Sequence, residues 1–242
     1  MNQNLVINQH VFPSKSIGRF CGQAGSVQVF RLKSKKSFLA KPKNKIFCVQ
    51  QVWDQRSEQG YGKEIEDKFQ ELIDHILSKK SVHLPLEGNR IVTEFYALWC
   101  FRSNIESYDN LAQGNLVGVK GSNLTEEQKK NIELRHAIYV DEGGVVPKHF
   151  KRGRTIQISI DSFVLRNPNL KWAICHSNEL DLLVSDNPRG EFIVPITKSM
   201  CLICGFNLTC INKQQAMVLN LNAIKRSKEY YFANKLSACV SA

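Results

Sequence analysis

Helical and strand-like patterns occupy different parts of this chain, which limits the folds it can adopt. Apolar residues at 64–77 recur at helical spacing, and a second helix is predicted over about 90–103. A third begins at the capping box Thr125-Glu-Glu-Gln128. Residues 155–210 instead have the pattern of short strands separated by turns. Because helices are grouped before strands rather than alternating with them, we expect an α+β fold.

We expect one α+β domain over residues 1–242, long enough to bury a full core. The strands are predicted at 26–32, 46–49, 155–165, 170–176, 180–184, 191–196 and 200–210. The helical middle is predicted over 62–145 and a last amphipathic helix over 213–236. The N-terminal strands and the strands of 155–210 should form a mixed or antiparallel sheet, packed with about four helices.

The positive charge is concentrated at the N terminus. The net charge is +11, from 33 Lys and Arg against 22 Asp and Glu. Residues 1–50 hold nine of the basic residues and no acidic one, so the remainder is almost neutral, with 24 basic and 22 acidic residues. A segment of this kind attracts polyanions through counterion release. A solvated, lysine-rich hairpin is the alternative interpretation.

No apolar run is long enough to predict a membrane span. The strand pattern at 26–32 indicates that the basic segment belongs to the mature fold rather than to a transit peptide, so we expect a cytoplasmic protein. The eight cysteines should then be free of disulfides. Cys201 and Cys204 have zinc-like spacing, but their apolar neighbours favour a buried strand, with a metal site as the alternative.

His10 is the first candidate for catalysis, since imidazole can act as general base, general acid or metal ligand. The neighbouring Gln9 could fix its tautomer or meet a ligand. A second candidate is Asp186, in a connection between two predicted strands that also holds Asn187 and Arg189. A purely structural histidine and an Asp-Asn-Pro turn are the alternatives.

Basic side chains near these candidates could bind substrate phosphates. Lys15 and Arg19 lie just after His10, and Lys151 and Arg152 belong to the basic stretch 148–154, which is expected to be a loop. Phe150 lies beside these charges, a pattern compatible with stacking on a base. A solvated loop is again the alternative.

Three short motifs occur in order along the chain. They are His10-Val-Phe-Pro13 with Phe20, Ile65-Glu-Asp-Lys-Phe69 and Ser185-Asp-Asn-Pro188, followed by Leu219-Asn-Leu-Asn222 and Tyr230-Tyr-Phe232. With them the chain resembles, over residues 8–234, a family of uncharacterised bacterial and phage proteins, a domain of unknown function. Trp53 stands where that family has tyrosine. The resemblance implies no activity, but it marks His10, Glu66 and Asp186 as a group.

These features predict an enzyme that acts on nucleic acid, a hydrolytic nuclease in a phage-defence or toxin-like setting. His10 would be general base or acid, and Glu66 and Asp186 would orient it or bind a divalent ion such as Mg²⁺ or Mn²⁺. To share one site, the three side chains must lie within about 10 Å of one another. The alternative is a non-catalytic nucleic-acid-binding or regulatory interaction module, with a homo-oligomer or a protein partner. RNA and DNA are both open as substrates.

Overall fold

The computed structural model describes residues 4–106, 115–205 and 209–240 and has the expected α+β fold. The helices are α1 (Ser14–Gly18), α2 (Gln55–Gln59), α3 (Tyr61–Lys79), α4 (Gly88–Arg102), α5 (Glu126–Leu134), α6 (Lys148–Arg166) and α7 (Lys213–Arg226). The strands are β1 (Asn8–His10), β2 (Val27–Arg31), β3 (Lys36–Ala40), β4 (Cys48–Gln50), β5 (Trp172–Ser177), β6 (Val184–Ser185), β7 (Ile193–Thr197), β8 (Met200–Cys204), β9 (Cys210–Ile211) and β10 (Tyr230–Ala233). Within the described ranges, no helix is both long and apolar enough to cross a membrane.

The strands form separate sheets rather than one. β1 pairs with β4 in an antiparallel ribbon. An antiparallel sheet has the order β3-β2-β10-β6, so the late strand β10 lies between the N-terminal hairpin and β6. A mixed sheet has the order β7-β8-β5-β9, with β9 parallel to β5. Both ends of the chain therefore contribute to one sheet.

A core rich in aromatic residues joins this sheet to the helices. Phe69 of α3 stacks on Phe95 of α4 with ring centroids 3.6 Å apart. Phe12, which follows β1, contacts Phe95, Trp99 and Phe232, so it links α4 to β10. All five side chains are buried. The strand β1 is thus held against α4 by Phe12, two residues after His10.

Residues 155–165 are helical, and their predicted strand was wrong. The basic stretch 148–154 is also not a loop, because α6 begins at Lys148. Alternating isoleucines gave this segment the pattern of a strand. Ile156 and Ile160, four residues apart, share one helix face and are buried against Trp53 and α4. Packing on α4 therefore decides the conformation over the local strand propensity.

The last predicted helix is also shorter than 213–236. α7 ends at Arg226, and residues 230–233 form β10. The N–H groups of Lys228, Glu229 and Tyr230 donate to the carboxylate of Asp186 rather than to carbonyl oxygens of a helix. Within the basic segment, residues 36–40 form β3. The strands predicted at 170–176 and 191–196 correspond to β5 and β7. The single strand predicted at 200–210 is instead two strands, β8 and β9, with residues 206–208 outside the described part of the chain, and of the strand predicted at 180–184 only Val184 is in a strand, β6.

Candidate functional site

His10 is held in a defined orientation by the basic segment. Its ring Nε2 lies 3.1 Å from the carbonyl oxygen of Pro42. Because a carbonyl oxygen only accepts, Nε2 carries the hydrogen, and Nδ1 is the acceptor of the neutral ring. Burial lowers the pKa of His10, and the Pro42 hydrogen bond and Glu58 oppose that effect. The imidazole is therefore neutral at pH 7.

The same contact brings unpaired positive charge next to His10. Pro42 lies in the basic loop, defined here as residues 41–45, between Lys41 and Lys43. Lys41, Lys43 and Lys45 are exposed, and none of them forms an ion pair with a residue in the described ranges. β1 and β4 place His10 opposite Cys48, just past this loop. The fold thus joins the basic segment to the first catalytic candidate.

Glu66 reaches the neighbourhood of His10 through a buried arginine. Arg102 Nη1 donates to a carboxylate oxygen of Glu66 and to the backbone carbonyl of His10, which lies 3.4 Å away. Arg102 Nη2 lies 3.3 Å from Glu58, and the guanidinium lies over the Trp53 ring, 4.9 Å from its centroid. Burial raises the pKa of Glu66, although Arg102 lowers it. This network fixes α3 and α4 to β1.

Asp186 binds backbone rather than another side chain. Its carboxylate accepts the N–H groups of Lys228, Glu229 and Tyr230 at 2.8, 2.6 and 3.2 Å. Burial raises the pKa of Asp186, against the lowering effect of these three bonds. Asn187 donates to the carbonyl oxygen of Arg226 at 3.0 Å. The Ser-Asp-Asn-Pro turn thereby anchors the segment that leads from α7 into β10.

The amide of Gln9 is likewise engaged within the fold. Its Nε2 donates to the carbonyl oxygen of Trp53 at 2.7 Å, and its Oε1 accepts the N–H groups of Val52 and Trp53. Gln9 is buried, and both of its bonds to Trp53 are shielded from water. Gln9, predicted to bind substrate, therefore uses its buried amide to tie β1 to the chain before α2.

The other predicted substrate-binding residues are spread over the molecule. Lys15 and Arg19 both pair with Asp74 of α3, at 2.6 and 2.8 Å. Lys151 and Arg152 lie in the first turns of α6 and are half-buried. Arg189 is exposed in the turn after Asp186, where its N–H lies 3.4 Å from Asn187 Oδ1. Lys15 and Arg19 thus have a carboxylate partner, whereas the lysines of the basic loop have none among the residues that the structure describes.

A cavity of about 170 Å³ lies beside the basic loop. Its lining residues come from the end of α4, the β4 region and the turn before β10: Val11, Ile46, Phe47, Cys48, Val49, Val52, Arg102, Ser103, Asn104, Ile105, Glu106, Asp186, Lys228, Glu229 and Tyr230. Arg102 and Asp186 therefore face one space, and Glu66 reaches it only through Arg102. Of the three candidates only Asp186 lines the cavity; His10 is linked to it through the next residue, Val11, and Glu66 through its ion pair with Arg102.

The expected Mg²⁺ or Mn²⁺ has no ready ligand set among the described residues. Within these ranges no three His, Cys, Asp or Glu side chains are grouped as metal ligands. Glu66 and Asp186, the carboxylates predicted for this role, are bound to Arg102 and to backbone N–H groups. The strand expected at Cys201 and Cys204 is present as β8, in which Cys201 is buried opposite Cys175, and all eight cysteines are free of disulfides.

Sequence reasoning missed Arg102, Asn104 and Lys228. Lys228 Nζ donates to Asn104 Oδ1 at 2.7 Å, and both residues line the cavity. Arg102 had a detectable signal, because it follows Phe95 and Trp99 at helical spacing and so belongs to the buried face of α4. Nothing local could pair Asn104 with Lys228, which is 124 positions away. Comparisons with protein-family models, curated proteins and solved structures find no match to this chain.

Proposed function

We propose that this protein binds nucleic acid through a basic surface formed by its N-terminal strands. The basic surface is defined by Arg31, Lys33, Lys35, Lys36, Lys41, Lys43 and Lys45. All seven side chains are exposed, and none forms an ion pair with a carboxylate in the described part of the chain. This observation carries the proposal, since unpaired cations near one another are what a phosphate backbone neutralises.

The spacing of the cations along β3 suits a ligand that is extended, such as a nucleic acid strand. The cations lie at both ends of this five-residue strand, which at 3.4 Å per residue separates them by about 17 Å. Between them Phe38 and Leu39 are 37% and 67% exposed, and the neighbouring Phe30 stacks on Tyr231. Aromatic and apolar groups between cations suit the bases of a nucleic acid strand, which stack on such surfaces.

Removing charge from the basic loop should weaken binding and flatten its salt dependence. We expect the variant K41Q/K43Q/K45Q to bind a single-stranded oligonucleotide about tenfold or more weakly at low salt. The slope of log K against log salt should become shallower by about 2, since each lost phosphate contact removes about 0.7. Fluorescence anisotropy titrations at several salt concentrations measure both quantities.

The matched control removes three lysines that already pair with carboxylates. Lys15, Lys63 and Lys68 bind Asp74, Asp67 and Glu64. The variant K15Q/K63Q/K68Q loses the same formal charge and should keep most of the wild-type affinity. Equal losses in both triple variants, or wild-type binding that ignores salt, would show that the basic surface is not the binding site.

A second candidate function is cleavage of RNA, and the fixed neutral ring of His10 favours it. Nδ1 can take the proton of a 2′-hydroxyl while the 2′-oxygen bonds to the adjacent phosphorus. The bond from phosphorus to the 5′-oxygen then breaks, and that oxygen takes a proton from water. Hydrolysis of the resulting 2′,3′-cyclic ester completes the reaction. Lys41 and Lys43, next to Pro42, would stabilise the negative charge on the phosphorane.

Cleavage should depend on His10 and on its protonation. We expect H10Q to lower the cleavage rate of a labelled RNA by about 10²–10⁴-fold, whereas H75Q, at an exposed histidine of α3, should leave it unchanged. Because burial lowers the pKa of His10, the active neutral form persists at pH 6.5, and the rate falls only at lower pH. RNA left intact by the wild type, or cleaved normally by H10Q, would remove this candidate.

A further inference from the structure

The cavity beside the basic loop begins where that loop ends. Ile46, Phe47 and Cys48 follow Lys45 directly and line the cavity. Val11, next to His10, lines it as well. A nucleic acid strand held by the loop would therefore lie at the mouth of this space. The inference below rests on the nucleic-acid binding proposed above and names what enters the cavity.

The volume and lining of the cavity match a single aromatic ring. Its volume of about 170 Å³ is close to the roughly 150 Å³ of an engineered cavity that binds benzene. One wall is apolar and is formed by Val11, Ile46, Phe47, Val49, Val52 and Ile105. The rings of Phe47 and Tyr230 meet edge to face at 5.5 Å, which gives the wall a fixed aromatic part. A flat heterocycle can replace water there.

The polar part of the lining contains the cation Lys228 together with the carboxylates of Glu106, Asp186 and Glu229. Asn104 Oδ1 accepts one hydrogen of the Lys228 ammonium at 2.7 Å, and an ammonium has three hydrogens to donate. Asn104 is itself fixed, because its Nδ2 donates to the carbonyl of Cys100 and to Asn187 Oδ1. Asp186 holds the backbone of Lys228. The Lys228 ammonium can thus donate a hydrogen bond to an acceptor on the ring that enters the cavity.

We infer that the cavity takes one pyrimidine base from a single-stranded nucleic acid. A pyrimidine has the one-ring size of the cavity and carries a carbonyl oxygen that can accept from Lys228. Bases in a duplex are stacked and paired, so they must be extruded before they can enter, and this costs free energy. The inference therefore predicts a preference for single strands and, among them, for pyrimidine over adenine.

The test compares three ligands of equal length at one salt concentration: oligo(dT), oligo(dA) and their duplex. We expect the wild type to bind oligo(dT) about tenfold more tightly than either of the others, in the range that one base–aromatic contact provides. Equal affinity for all three would overturn the pyrimidine pocket while leaving the basic surface as a binding site. Absence of binding to all three would overturn both.

Two variants test the cavity itself, each with a matched control. V49F fills the cavity, whereas V218F adds the same bulk at an exposed position of α7. K228M removes the ammonium, whereas K225M removes an exposed lysine of α7. We expect V49F and K228M to lose the preference for oligo(dT) but to keep duplex binding, and the controls to keep both. If circular dichroism shows that V49F is unfolded, K228M decides alone; a folded V49F or K228M that retains the preference overturns the inference.

Discussion

Replacement of Arg102 by methionine is expected to lower the free energy of unfolding by about 3–5 kcal/mol. The guanidinium is only 2% exposed and pairs with Glu66 and Glu58. Methionine leaves those carboxylates without a counter-charge, and Glu66 is buried. It also removes the donor to the backbone carbonyl of His10. Urea denaturation followed by circular dichroism measures the loss.

A surface arginine provides the control for this prediction. Arg90 pairs with Glu94 one helical turn away, but its side chain is 77% exposed. Because solvent screens such pairs, R90M should change stability by less than about 1 kcal/mol. In R102M/E66Q the neutral amide replaces the stranded carboxylate, so part of the lost stability should return. A loss below 1 kcal/mol in R102M would contradict the role assigned to this network.

The variant D186A is expected to lose about 2–3 kcal/mol of stability, because three backbone N–H groups lose a charged acceptor. Lys228 and Glu229 immediately precede β10, and Tyr230 is its first residue. We therefore expect the start of β10 to open more often, in addition to the loss of global stability. We expect hydrogen exchange at residues 228–230 to accelerate relative to the rest of the sheet. Hydrogen exchange with site resolution and urea denaturation measure the two effects.

An exposed aspartate on α6 is the matched control for D186A. Asp161 lies on the solvent side of that helix, and D161A should leave stability within about 0.5 kcal/mol of the wild type. If D186A kept wild-type stability and exchange but lost cleavage activity, Asp186 would belong to the chemistry rather than to the turn. The experiment therefore separates the catalytic hypothesis for this residue from its visible structural role.

The predictable part of the fold is the part that local patterns determine. α3 and α4 have apolar residues at helical spacing, and the capping box at Thr125 opens α5 as expected. The segment that became α6 has β-branched residues in alternation, and only its contact with α4 distinguishes a helix from a strand. β10 likewise depends on β2 and β6, strands that are distant in sequence. Tertiary contacts, which a single sequence does not display, decide both elements.

The candidate site was likewise predictable from the sequence only in part. Residue types identified His10 and Asp186 as polar groups beside apolar strands, and both have defined partners in the structure. Their partners could not be read from spacing, because Pro42 and the backbone of residues 228–230 reach them only through the fold. The location of the basic charge was predictable from composition, whereas the pairing of Lys15 and Arg19 with Asp74 depends on where α3 packs in the fold.

The position of β10 has a consequence for the order of events during synthesis. β2 and β3 form the hairpin that carries much of the basic surface, yet β2 is also paired on its other edge with β10, about 200 residues later in the chain. An isolated two-stranded hairpin is at best marginally stable in water. The hairpin therefore gains its lasting shape only when β10 has been translated and inserted beside it. A nascent chain carries the positive charge early but acquires the ordered hairpin that displays it last.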